Sequence, residues 1–264
     1  MDIKLPTEEH IPNVVGMPKK LSMIVLGSPK VGKTTFGAEW EKALILEAEP
    51  GGAAWIRCKK LDVNSMEEMR QAFMALKDDK EYDAIIVDSL DRVAQWIEEE
   101  ICASLGTANL MENKKGERYG SQWAMYQEKV LTFLAGMTSL NKRLVFLAHV
   151  KKAELADGTV INPRTIQLYG QTASRVMAIV ENIAYMFAKE DTDGTIRRYL
   201  SFKPGIYVEA GSRHPALSDK VIEIPLGGAY KALVKCFESA TSTNNGVKAE
   251  TKTKQVLSTT ARRQ

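Results

Sequence analysis

The sequence predicts an α/β fold: a mostly parallel central sheet flanked by helices, with an antiparallel hairpin added toward the C-terminus. Three observations carry that expectation. Continuous apolar runs recur at residues 22–26, 43–48, 84–88 and 143–148, each rich in Ile, Val or Leu, which suits strands buried on both faces. Segments with helical spacing lie between these runs. After residue 182 the pattern changes to two strands, 183–188 and 196–202, around Asp193-Gly194, a hairpin turn signal.

The elements follow in order. Residues 1–20, with Pro6, Pro12 and Pro18, are too short for a domain and read as an N-terminal extension to a core spanning 21–240. The first strand runs into GSPKVGKTT at 27–35, and Thr34-Thr35-Phe36 begin a helix. Ser65 and Glu68 form a capping-box pattern that opens a helix to Lys77, with Met66, Met69, Phe73 and Leu76 on one face. Residues 91–105 place Val93, Ile97, Ile101 and Leu105 four apart. Residues 121–140 place Trp123, Tyr126, Val130, Phe133, Met137 and Leu140 at intervals of three and four, and such stripes are core. A strand at 221–225 and a helix at 229–239 close the core. Residues 241–264 are polar and read as a disordered basic tail.

Composition narrows the function classes. The chain has 264 residues, 44% of them hydrophobic, enough for a sizeable core. No apolar stretch approaches the ~18 residues of a membrane helix, and the first residues lack the pattern of a secretory signal. Cys58, Cys102 and Cys236 are far apart, which fits a reduced cytoplasmic protein without a zinc site. The formal charge is +3, but Lys248, Lys252, Lys254, Arg262 and Arg263 against Glu250 give the tail +4, leaving residues 1–240 at −1. Nucleic-acid contact therefore has to come from loops, from the tail or from many copies together. Two loops read as exposed, 106–120 and 150–170.

Four motifs carry chemistry. Gly27, Ser28, Pro29, Lys30, Val31, Gly32, Lys33, Thr34 and Thr35 fit the phosphate-binding P-loop. Its backbone N–H groups surround the β-phosphate of ATP, Lys33 adds charge at the β/γ oxygens and Thr34 offers a hydroxyl to Mg²⁺. Asp88 ends the run Ala84-Ile85-Ile86-Val87 and supplies the carboxylate such a site needs for Mg²⁺, although Asp88, Ser89 or Asp91 could equally cap the next helix. Glu47 and Glu49 end the 43–48 run, and one of them could polarise a water aimed at the γ-phosphate. His149 ends the 143–148 run, where a polar side chain can sense the γ-phosphate and pass its state to the following loop.

In this order the motifs resemble the RecA-type ATPase core. They are more similar still to phage-encoded nucleotide-binding proteins, a minimal RecA-like branch that includes single-strand annealing recombinases. The short linker TTFGAEWEK after Lys33, the acid strand LEAEPGG and the run from Tyr119-Gly120-Ser121-Gln122-Trp123 to FLAHV carry that likeness, over residues 20–225. The resemblance implies a RecA-like P-loop NTPase core and an ATPase that binds single-stranded DNA and promotes annealing in recombination. It implies that Lys33 and Glu49 are catalytic, Glu49 activating water, and that His149 senses the γ-phosphate. Residues 106–120 and 150–170 match DNA-binding loops, with Lys114, Lys115, Arg118, Lys151, Lys152 and Arg164 as phosphate contacts. Arg213 resembles a basic residue that reaches a neighbour's nucleotide, with Lys203 in competition. The implied partners are single-stranded DNA, a single-strand-binding protein and further copies in a ring or short filament, in the host bacterial cytoplasm. The oligomerisation element and C-terminal domain of bacterial RecA have no counterpart in the sequence. A rival reading is a motor or helicase-loader-like ATPase that acts on a protein partner in phage DNA replication; Asp88-Ser89 lacks the Asp-Glu pair usual in loaders.

Overall fold

The computed structural model describes residues 16–112, 120–151, 165–205 and 208–239. Its strands are β1 (Leu21–Gly27), β2 (Ala43–Glu47), β3 (Lys60–Asp62), β4 (Ala84–Asp88), β5 (Arg143–Lys151), β6 (Thr165–Ile166), β7 (Asn182–Glu190), β8 (Ile196–Ser201), β9 (Gly211–Ser212) and β10 (Val221–Glu223). Its helices are α1 (Lys33–Ala38), α2 (Met66–Lys77), α3 (Leu90–Leu105), α4 (Ser121–Ser139) and α5 (Gly170–Ile179), followed by helical turns over 229–239. The sheet runs β10-β8-β7-β1-β5-β4-β2-β3. It is parallel from β7 to β3; β8 pairs antiparallel with β7 in the hairpin, and β10 pairs antiparallel with β8, so of this row β8 alone runs against the others. The mostly parallel sheet flanked by helices is the one the sequence predicts, with the expected hairpin in place.

The apolar runs become strands because both faces are covered. Alternate residues divide between two clusters. Ile24, Leu26, Leu46, Ile85, Val87 and Phe146 pack with the side chains of α2, α3, α4 and α5. Met23, Val25, Ile45, Ile86, Val145 and Leu147 pack with Phe36 and Trp40 around α1 and with Tyr230, Leu233 and Phe237 of the last helix. Asp193-Gly194 turn the hairpin as expected: Gly194 has φ 79°, and Asp193 Oδ1 accepts from Thr195 N at 2.9 Å. Ser65 caps α2 by accepting from Glu68 N, but Glu68 reaches back to the amide of Asn64 at 2.8 Å rather than to that of Ser65.

Strand order is what builds the site. β5 lies between β1 and β4, so consecutive strands of the chain are not neighbours. The register pairs Gly27 with His149, Leu147 with Asp88 and Asp88 with Glu47. The four motifs separated by more than 120 positions in sequence therefore end in one row at the C-terminal edge of the sheet, where ligands bind in open α/β folds.

Candidate active site

The phosphate loop leaves β1 at Gly27, where no side chain fits: a Cβ would meet Val31 Cγ1 at 2.9 Å and the Met186 carbonyl at 3.0 Å. Lys30 (φ 63°) and Gly32 (φ 108°) adopt left-handed backbone, which curls the loop before α1 begins at Lys33. The Lys33 ammonium spans the loop, donating to the carbonyls of Gly27 at 3.0 Å and Ser28 at 3.1 Å. Burial lowers its pKa, while Asp88, Asp91 and Glu49 favour the charged form.

Thr34 Oγ1 donates to Asp88 Oδ2 at 2.6 Å, joining the phosphate loop to β4 across the intervening strand. Burial raises the Asp88 pKa against the opposing hydrogen bond from Thr34. Asp88 does not cap α3. Ser89 does, its hydroxyl accepting from Arg92 N at 3.4 Å, so the Asp88 carboxylate is left for the site. Two hard oxygen donors beside a phosphate loop fit Mg²⁺, which keeps water and phosphate oxygens as its other ligands. Thr34 and Asp88 would hold it there, and with ATP bound it would neutralise phosphate charge.

The two glutamates left open by the sequence have different environments. Glu47 is buried; its Oε1 accepts from Ala53 N at 2.6 Å and its Oε2 pairs with Lys60. Both oxygens are engaged in holding the turn that follows β2. Gly52 in that turn lies beside both carboxylates: a Cβ there would stand at contact distance, 3.4 Å from Glu47 Oε1 and 3.5 Å from Asp88 Oδ2. Glu49 is 38% exposed on its side chain, and the amides of Ala48 and Glu49 both donate to the Asp88 carbonyl. The Glu49 carboxylate accepts from the Ser89 hydroxyl and lies 3.5 Å from His149 Nδ1. Of the pair, Glu49 is the more exposed and the one beside His149.

Asp91 also belongs to the site, beyond the capping role its sequence position suggests. Its Oδ1 accepts from His149 N at 3.0 Å and its Oδ2 lies 2.7 Å from His149 Nδ1. The hydrogen bond to Asp91 raises the His149 pKa against burial. Burial alone would raise Asp91, but the bonds from His149 outweigh it and hold its pKa below the ordinary value. The missed signal was Ser89: with a good N-cap already at that position, an acid two residues later was free for another task. A cavity of about 820 Å³ opens beside this cluster, lined by Glu49, Asp91, Glu98 and Glu99 with Arg92 and Lys151.

The other expected residues divide in two. Lys151 is exposed at the end of β5, opposite Thr165 of β6. Arg213 is exposed and bound within its own chain: its guanidinium donates to the Ala178 carbonyl and its amide to that of Glu181 at 3.0 Å. Tyr169, the aromatic of the second loop, packs edge-on against Trp123 and Tyr126 at 5.0 and 5.5 Å. Lys114, Lys115, Arg118, Lys152 and Arg164 lie outside the described residues, as do 1–15 and the 241–264 tail.

A phosphate loop tied to a buried strand-end aspartate, with a carboxylate and an imidazole beside it, defines a P-loop ATPase. The family model of the AAA domain (AAA_24) matches residues 19–214, and the chain belongs to that family. Among solved structures it is similar to a KaiC-like protein from the hyperthermophilic archaeon Pyrococcus horikoshii OT3, at 14% identity and a TM-score of 0.43, over 79% of this chain and 87% of that one. No curated protein gives a significant match. No helix among the described residues is long and apolar enough to cross a membrane.

Proposed function

We propose that this ATPase binds single-stranded DNA and promotes single-strand annealing in recombination, with Glu49 activating the attacking water, Lys33 stabilising phosphate charge and His149 reporting nucleotide state. The observation that carries the reading is the attachment of the second loop. β5 continues from His149 to Lys151, and the chain returns on β6, where Val150 faces Ile166. The amide of Gln167 donates to the His149 carbonyl at 3.1 Å. The residues flanking segment 152–164 are thus paired beside His149, so on this reading a shift of His149 would move both flanks together. The working assembly on this reading is a ring or short filament in the host bacterial cytoplasm, loaded with help from a single-strand-binding protein.

One observation favours the rival, a motor or loader acting on a protein. The cavity beside Glu49 is lined by four carboxylates against two cations, a surface that repels a phosphate backbone and suits a basic segment. Hydrolysis measured with and without oligo-dT at low salt separates the two. The annealing reading expects stimulation by DNA, and Glu49→Gln should bind ATP while losing hydrolysis by about 10²–10⁴-fold. An unstimulated wild type that also fails to retain oligo-dT on a filter would leave the protein-partner reading standing.

A further inference from the structure

The β7–β8 hairpin touches the phosphate loop through one side chain. Arg198 on β8 sends its Nε to the carbonyl of Val31, 167 positions earlier, at 3.2 Å. Its neighbour Arg197 points to the other side of the strand and is engaged by Asp191 and Glu223. Arg198 has no carboxylate within ion-pair distance among the described residues. The stem of Arg198 lies against Gly32, where a Cβ would stand 3.6 Å from both Cδ and Nε.

The Val31 carbonyl shares a trans peptide with the Gly32 amide. In a planar trans peptide the C=O and N–H point in opposite directions. A donor that holds the carbonyl of Val31 on the outside of the loop therefore turns the N–H of Gly32 inward, toward the side on which phosphate oxygens are bound. That N–H has no hydrogen-bond partner among the described residues. Gly32 sits at φ 108°, where a peptide is free to swing unless something fixes it. We propose that Arg198 is a positioning residue for nucleotide binding, fixing the Val31–Gly32 peptide so that Gly32 N–H faces the phosphates. Through it the hairpin, which contributes no residue of the sequence motif, becomes part of the ATP site.

Two substitutions separate the hydrogen bond from charge and packing. In Arg198→Gln the side-chain amide nitrogen falls the same number of bonds from the backbone as the Arg Nε, so a donor remains without the charge. In Arg198→Met a methyl occupies that place and no donor remains. The readouts are the Kd of a fluorescent ATP analogue with Mg²⁺, the KM and kcat for hydrolysis, and thermal melting of the nucleotide-free protein. The Met variant should weaken binding about 10-fold and raise KM while kcat changes less than about twofold, and the Gln variant should bind within about threefold of wild type. A Met variant that binds like wild type overturns the proposal. So does a Gln variant as weak as the Met variant, which would assign the effect to charge. If the Met variant fails to fold, Arg198→Leu, which also lacks a donor, takes its place: binding like wild type overturns the proposal, and a loss of about 10-fold supports it.

Discussion

Two carboxylates flank the imidazole of His149, and only Asp91 is in hydrogen-bond contact with its ring, at 2.7 Å. Hydrogen bonding to Asp91 and the charges of Asp91 and Glu49 favour the imidazolium; burial and Lys33 oppose it, and the pKa is raised. His214 is the contrast, lowered by burial with only Glu181 opposing. A histidine raised on folding adds stability that is complete below its ordinary pKa of about 6.5 and is lost as pH rises through the folded value. Asp91, lowered on folding, adds stability that is present above about 3.9 and is lost as pH falls through its folded value. The pair is therefore strongest between those limits. NMR titration of the nucleotide-free protein should find His149 above and His214 below the ordinary imidazole value. Asp91→Asn should bring His149 down; a His149 that does not move in that variant would show that the contact with Asp91 does not set its protonation.

At the scale of elements, α1 shows how close approach overrides propensity. Gly37 sits inside a six-residue helix, where alanine would ordinarily gain about 1 kcal/mol. Here a Cβ would stand 2.7 Å from Ile86 Cγ2 on β4, and such overpacking costs about 1–3 kcal/mol. Gly37→Ala should therefore destabilise in urea denaturation, yet stabilise when made in an Ile86→Ala background. Equal effects in both backgrounds would mean that the contact with Ile86 is not the cause. The elements legible in the sequence were those with a burial pattern: β1, β2, β4, β5 and the hairpin, and the stripes of α2, α3 and α4. β3 was not, because Lys60–Asp62 is exposed throughout and pairs only with β2. β6 and β9 are two residues each, set by pairing with β5 and β7 rather than by any local run. The P-loop and Asp88 were legible because spacing and strand-end position define them. That Glu47 is taken up by the turn and Glu49 is not could not be read locally, because it depends on the chain folding back so that Ala53 meets Glu47. Arg198 was invisible because nothing local marks a contact spanning 167 positions.

At the scale of the molecule, the balance of charge sets how the protein should behave if it binds single-stranded DNA as proposed. Residues 1–240 carry −1 and the tail +4, so net charge does not draw a strand to the body and contact falls to loops, to the tail or to many copies together. The six cations assigned to the strand are Lys114, Lys115, Arg118, Lys151, Lys152 and Arg164. If each meets one phosphate, the logarithm of single-strand affinity should fall with the logarithm of salt with a slope of about −4 per protomer. Glu98 and Glu99 in the adjoining cavity would oppose binding, and because salt screens that repulsion too they would make the slope shallower. DNA-stimulated hydrolysis should collapse between low and physiological salt, while hydrolysis without DNA changes little because its charges are partly buried and less screened. Removing residues 241–264 should leave the slope in place if the loops make the contacts. A slope that vanishes with the tail would move the binding element there, and a slope near zero with stimulation intact would remove all six cations from the assignment.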